Sequence, residues 1–178
     1  MVLHYLEIEY QDDVIGPNWH TDDKFKLGLD FPNLPYYIDK DVKLTQSLAI
    51  LRYIGKTNDL SGQNPQEEAT IDMLIQTAED ILLAFAYKAY DPEFVSLTTF
   101  TFLFVNFSFF LPIKKNLLDG HLEAIAPKFK QVSDYLEGKS FLMGEKVTVA
   151  DFPMYVAIKW HQEIVNELNL ERKVCYKV

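Results

Sequence analysis

Apolar residues recur every three or four positions from Glu67 to Ala89, at Ile71, Leu74, Ile75, Ala78, Ile81, Leu82, Phe85 and Ala89. That spacing puts them on one face of a long amphipathic helix. The period returns between Lys115 and Glu137 in Leu118, Leu122, Ile125, Phe129, Val132 and Leu136; Pro127 predicts a kink or a late start, and Gly120 weakens the beginning. Phe152, Met154, Tyr155 and Ile158 predict a further apolar helix. Thr148 and Asp151 precede it at capping-box spacing, in which each side chain satisfies a backbone N–H, and Pro153 is tolerated in a first turn. Val2, Leu3, Leu6 and Tyr10 predict a helix over Val2–Tyr10, with Tyr5 packing inside it. The pattern differs between these helices. Tyr36-Tyr37-Ile38 and Val42-Lys43-Leu44 are β-prone runs around a tight turn at Asp39-Lys40-Asp41, and a helix follows directly.

Asp59-Leu60-Ser61-Gly62-Gln63-Asn64-Pro65 is polar and carries Gly and Pro, the composition of a connector. The expected organisation is therefore an α/β domain over 1–58, a linker over 59–65 and an all-α domain over 66–178. The chemistry is densest at the end of the first unit. Pro35 withholds a backbone donor and can hold a cis bond after Leu34, leaving the Leu34 backbone unpaired. Gln46-Ser47 open the next helix, where free N–H groups and the macrodipole attract a carboxylate. An extended loop beside such a helix end suits a small anionic peptide.

Lys24-Phe25-Lys26-Leu27-Gly28-Leu29-Asp30-Phe31-Pro32-Asn33-Leu34-Pro35-Tyr36, Leu44-Thr45-Gln46-Ser47 and Ala49-Ile50-Leu51-Arg52-Tyr53-Ile54 together resemble the thioredoxin-like domain of a cytosolic glutathione transferase, most like the mu class of animals. The resemblance implies a cis Pro35, a Leu34 backbone that pairs with the cysteinyl part of glutathione, and Gln46 and Ser47 holding its γ-glutamyl end. It gives the glycyl end to Trp19, Lys24 and Asn33. It further implies Asp80 reaching across a dimer to the partner's glutathione, against the plain reading of a solvated helix-face carboxylate. Tyr90 matches a tyrosine of the electrophile site, with core packing as the alternative, and Phe31 and Arg52 match residues of a homodimer interface. Thr148 and Asp151 match the family's N-capping motif, a folding role. The family's thiol-activating Tyr lies on a first strand in a Gly-Tyr-Trp context, and no such tripeptide occurs in this sequence. The expected catalytic set is therefore empty, the first strand is missing and the chain is read as incomplete at both ends. The segment 11–17 also departs from the family.

Residues 97–113 interrupt the resemblance. They hold six phenylalanines, no charge, and Asn106 and Pro112. A helix of that length would be roughly 25 Å, short of the roughly 30 Å hydrocarbon core, so a membrane span is disfavoured. The segment is read as translated intron sequence, with a real surface insertion as the alternative.

The formal charge of −9 offers no basic stripe, so nucleic acid and anionic membranes are poor partners. Lone Cys175 makes no intrachain disulfide, and no secretory pattern opens the chain, which points to the cytoplasm. No metal-ligand spacing, phosphate loop or nucleophile elbow occurs, and His4, His20, His121 and His161 lie scattered. The expected function is conjugation of the glutathione thiolate to hydrophobic electrophiles, with glutathione as co-substrate and no metal. The alternatives are a non-catalytic protein of the same fold and a glutathione-dependent prostanoid isomerase.

Overall fold

The computed structural model describes residues 1–13, 15–89 and 107–167. The predicted first helix is shorter than its apolar spacing suggests. Helix α1 spans Val2–Tyr5 and stops because Glu7 takes a left-handed conformation, φ 55°. The Ile8 N–H then returns to the Leu3 carbonyl at 3.0 Å and the Glu7 N–H to that of His4 at 3.1 Å, the paired bonds that close a helix C-terminus. Tyr5 packs edge-on against Phe152, ring centroids 5.4 Å apart, while remaining half exposed.

A π-helical turn, Trp19–Asp23, runs into the short helix α2, Lys24–Lys26. Lys26 bonds both Asp22 and Asp23, and these bonds raise its ammonium above the ordinary lysine range. Strands β1, Tyr36–Asp39, and β2, Val42–Thr45, pair antiparallel in the register Tyr36↔Thr45 to Asp39↔Val42, as the β-prone runs predict. Helix α3, Ser47–Thr57, follows at once. Among the described residues the sheet has these two strands.

Helix α4, Pro65–Ala89, carries the predicted stripe, with Ile71, Leu74, Ile75, Ala78 and Ile81 buried. Its start holds a capping box that escaped the sequence reading. Asn64 Oδ1 accepts the Glu67 N–H at 2.9 Å, and the Glu67 carboxylate returns to Asn64 Nδ2 at 2.9 Å and to the Gln63 N–H at 2.8 Å. The Asn-Pro-x-Glu spacing was the available signal. Helix α5, Phe107–Tyr135, starts eight residues before the predicted Lys115 and runs through Pro112, Gly120 and Pro127. Each proline removes one intrahelical bond, whereas Leu118, Leu122, Ile125, Phe129 and Val132 all reach the core, so burial outweighs the local break. Of the Phe-rich segment, 97–106 lies outside the described residues and 107–113 has helical backbone. Helix α6, Asp151–Glu167, buries Phe152, Met154 and Ile158, but Tyr155 faces outward at 40% exposure with Lys159 Nζ 5.7 Å from its ring.

The α6 cap differs in one respect from a reciprocal box. Asp151 Oδ2 accepts the Thr148 N–H at 2.8 Å, as expected, but the Thr148 hydroxyl donates to that same oxygen at 3.1 Å. Asp151 Oδ1 accepts the Leu142 N–H at 2.8 Å, so one carboxylate fixes both the helix start and the turn at Phe141–Gly144.

The junction between the two units is tightly packed. Asp59 is left-handed, φ 55°, and the Leu60 N–H returns to the Gly55 carbonyl at 3.0 Å, closing α3. The Asp59 carboxylate takes Lys146 Nζ at 2.8 Å and Gln63 Nε2 at 3.3 Å, bonds that hold it below the usual carboxylate range. The Leu60 carbonyl accepts the Val149 N–H at 2.9 Å, and Arg52 Nε reaches Asp72 on α4 at 2.7 Å. A Cβ at Gly55 would stand 2.4 Å from Val149 Cγ1, and one at Gly62 would stand 2.5 Å from the Glu68 nitrogen. Gly55→Ala is expected to destabilise by about 1–3 kcal/mol, because Val149 is buried and anchored and the added methyl overpacks it. Urea denaturation of Gly55→Ala, Val149→Ala and the double variant checks this: the second change should recover part of the loss, and purely additive losses would refute the contact.

Candidate functional site

The loop that precedes β1 is stitched to the hairpin from the β2 side. Lys43 Nζ donates to the Leu27 carbonyl at 2.8 Å, and the Thr45 hydroxyl donates to the Phe31 carbonyl at 2.9 Å. Gly28 turns the loop with φ 64°, where a side chain would be strained and would also meet Lys43 Nζ at 3.0 Å. The Leu34–Pro35 bond is cis. Continuing the β1–β2 register by one pair sets Pro35 beside Gln46, so Leu34, Pro35, Gln46 and Ser47 gather at the hairpin end opposite the Lys40–Asp41 turn.

Gln46 is the N-cap of α3 and stands at φ 70°, ψ 110°, outside the ordinary left-handed well for a residue with a side chain. Its carbonyl accepts the Ile50 N–H at 3.0 Å, the first bond of the helix, and no side chain caps the terminus. Among the described residues the first-turn N–H groups thus have no side-chain cap. A non-glycine residue held in such a conformation at a helix start is the kind of strain that collects at binding sites. Both Gln46 and Ser47 are exposed.

The Leu34 N–H was expected to be unpaired; instead Asn33 Oδ1 accepts it at 2.9 Å, a bond in an exposed position. Trp19 is packed inward. It is 4% exposed and stacked on Tyr36, centroids 5.8 Å apart and planes at 12°, because the π-helical turn folds its apolar ring onto β1. Lys24 follows that turn with Nζ 5.0 Å from the Phe25 ring. Phe31 stands out at 79% exposure. Arg52 bonds Asp72, and Asp80 accepts Lys128 Nζ at 2.8 Å, both within the chain. Tyr90 lies outside the described residues.

A cleft of about 950 Å³ is lined by Leu34 and Pro35 together with Tyr10, Tyr36, Tyr37 and Tyr53. Of the expected peptide-holding residues it touches only Leu34 and Pro35. The Tyr36 hydroxyl donates to Asp13 Oδ2 at 2.7 Å, a bond that raises the phenol above its ordinary range; burial does the same for Tyr37. Both phenols stay protonated at neutral pH. Among the described residues no helix is long and apolar enough to cross a membrane.

A hairpin entered through a cis proline, a helix with an open N-terminus behind it and a helical unit alongside define a thioredoxin-like domain joined to an all-α domain. Two family models match: Glutathione S-transferase, N-terminal domain, over residues 1–56, and Glutathione S-transferase, C-terminal domain, over residues 80–174. The chain belongs to the glutathione S-transferase family. It is 40% identical over 179 residues to the class-mu 26 kDa isozyme of Schistosoma mansoni, covering 98% of this chain and 81% of that protein. It is 37% identical over 164 residues to glutathione S-transferase 2 of Gallus gallus and 35% identical over 162 residues to the class-mu 26 kDa isozyme 7 of Fasciola hepatica. The matches cover 87% and 89% of this chain, and the chain spans 65% of the length of each of those two relatives. Among solved structures, that of the glutathione S-transferase Blo t 8 superposes with a TM-score of 0.74 at 24% identity, over 93% of this chain and 71% of that one, which shows the same fold.

Proposed function

We propose that this chain binds glutathione at the Leu34–Ser47 corner and serves a mu-class glutathione transferase that conjugates the thiolate to hydrophobic electrophiles. The observation that carries the reading is the uncapped, strained start of α3 placed by strand register against the cis Leu34–Pro35 bond. The γ-glutamyl carboxylate is assigned to the Gln46 and Ser47 terminus, where free N–H groups and the helix dipole favour an anion. The cysteinyl unit lies along Leu34, exchanging the exposed Asn33–Leu34 bond for its own at small cost. Trp19, Lys24 and Asn33 are assigned to the glycyl end, with Trp19 anchored by its stacking on Tyr36. In a homodimer Phe31 would bury its ring in the partner near Arg52, and Asp80 would trade Lys128 for the partner's bound peptide. Tyr90 belongs to the electrophile pocket. The division into 1–58, 59–65 and 66–178 and a cytoplasmic location belong to the same reading.

Isothermal titration of the chain with glutathione is the direct test. Saturable binding that disappears when the γ-glutamyl carboxylate is amidated is expected, and no heat of binding at millimolar peptide would overturn the proposal. Turnover of a chlorinated nitroaromatic with glutathione then separates binding from thiol activation. Light scattering on the same sample reports the dimer.

A further inference from the structure

Two of the four histidines, forty positions apart in the sequence, meet end to end in the helical domain. His121 Nε2 on α5 and His161 Nε2 on α6 are 3.1 Å apart, with ring planes at 18° and centroids 5.3 Å apart. Nearly parallel rings whose centroid separation almost reaches the sum of the N···N distance and the two ring radii point their nitrogens at each other. His161 is fully buried, with Phe85 of α4 and Phe129 of α5 set edge-on at 5.1 and 4.9 Å. His121 is half-buried.

The hydrogen bonds fix the protons. The Ala157 carbonyl can only accept, so His161 Nδ1, 2.7 Å from it, carries a hydrogen. Neutral His161 therefore offers a bare Nε2, and the hydrogen between the rings belongs to His121 Nε2. The two neutral rings hold two protons. A third makes one imidazolium that is still hydrogen-bonded to its neighbour. A fourth would set two N–H groups head to head at 3.1 Å, which the contact cannot accommodate.

We propose that His121 and His161 form a one-proton latch between α5 and α6: the folded pair takes up one proton where the unfolded chain takes two, so acid withdraws support from this helix contact. Burial, opposed only in part by the Ala157 carbonyl, lowers the affinity of His161 for a proton. Among the described side chains, Lys128 of α5 lies two turns along from His121, and it is engaged by Asp80 of α4. Asp119 and Glu123, two positions either side of His121, lie on the far face of α5, and Lys159 and Glu163, two positions either side of His161, pair across the far face of α6.

The folded affinity of His161 for a proton is below that of an ordinary histidine at 6.5, so the stabilisation is whole above that pH and is lost as the pH falls below it. One proton of difference changes the folding constant by up to about tenfold per pH unit.

Nitrogen NMR of the histidine rings across pH 8 to 5 tests the assignment on the chain itself. Expected are an Nδ1–H tautomer for His161, an Nε2–H tautomer for His121, and only one imidazolium formed before unfolding. Urea denaturation at the same pH values compares the chain with His161→Phe. The folding constant of the chain relative to the variant should fall by up to about tenfold between pH 6.5 and 5.5. Both rings titrating in the folded protein, or a ratio that does not move with pH, would overturn the latch. So would stoichiometric zinc shifting both sets of ring resonances at pH 8, since the pair would then be a metal site. If His161→Phe does not fold, the NMR assignment decides alone.

Discussion

Replacing Asp151 by alanine is expected to cost on the order of 3–5 kcal/mol, the largest stability loss from any single polar side chain described above. The carboxylate accepts the Leu142 N–H, the Thr148 N–H and the Thr148 hydroxyl, and both donor residues are buried, so truncation strands three donors with little access to water. Each stranded donor costs about 1–3 kcal/mol before relaxation, and local opening recovers part of the sum. Melting followed by circular dichroism should show a midpoint lowered by roughly 10–15 °C for a chain of this size. Asp151→Asn keeps one acceptor and should fall between. Thr148→Ala removes a single donor from the hub and should cost only about 1 kcal/mol. A loss below about 1 kcal/mol for Asp151→Ala would show that the turn and helix find other partners, and that the hub is not one.

Ser47→Ala and Gln46→Ala are expected to weaken glutathione binding by about tenfold and tenfold to a hundredfold respectively, the range of a hydrogen bond to a charged group. Both residues are exposed and neither side chain caps α3, so the melting temperature should hardly change. Titration calorimetry on each variant, beside its thermal midpoint, separates the two effects. Gln46→Gly is the informative control: it also loses the amide but relaxes the backbone at φ 70°, so the chain should be slightly more stable while binding stays weak. Unaltered affinity in both Ser47→Ala and Gln46→Ala would move the acidic end of the peptide elsewhere.

The hairpin and the site loop were legible because their signals are local. Pro35 after Leu34 and two β-prone runs around Asp39-Lys40-Asp41 announce the hairpin without help from the rest of the chain, and the observed strands extend each run by one residue, to Asp39 and Thr45. The stripes of α4 and α5 were legible for the same reason. The early end of α1 was not, since Leu6 and Tyr10 keep helical spacing and nothing in Glu7 announces a left-handed residue. Nor was the reach of α5 through Pro112, because tertiary burial further along the helix sustains it. The glycyl-end role of Trp19 comes from the family resemblance, whereas its stacking on Tyr36 joins it to another element and carries no sequence signal. The Asp151 hub, the Asp80–Lys128 pair and the His121–His161 contact each join residues whose separation in sequence carries no period, so only the folded chain shows them.

The crowding at Gly55 and Gly62 bears on how members of this family can be recombined. A chimera that grafts a foreign first half onto this second half would have to bring a glycine to face Val149 and an acid to clasp Lys146. Without both, the graft would meet the new host at a different angle. The orientation of the two halves is thus inherited through a handful of junction residues, and domain shuffling is restricted to donors that share them.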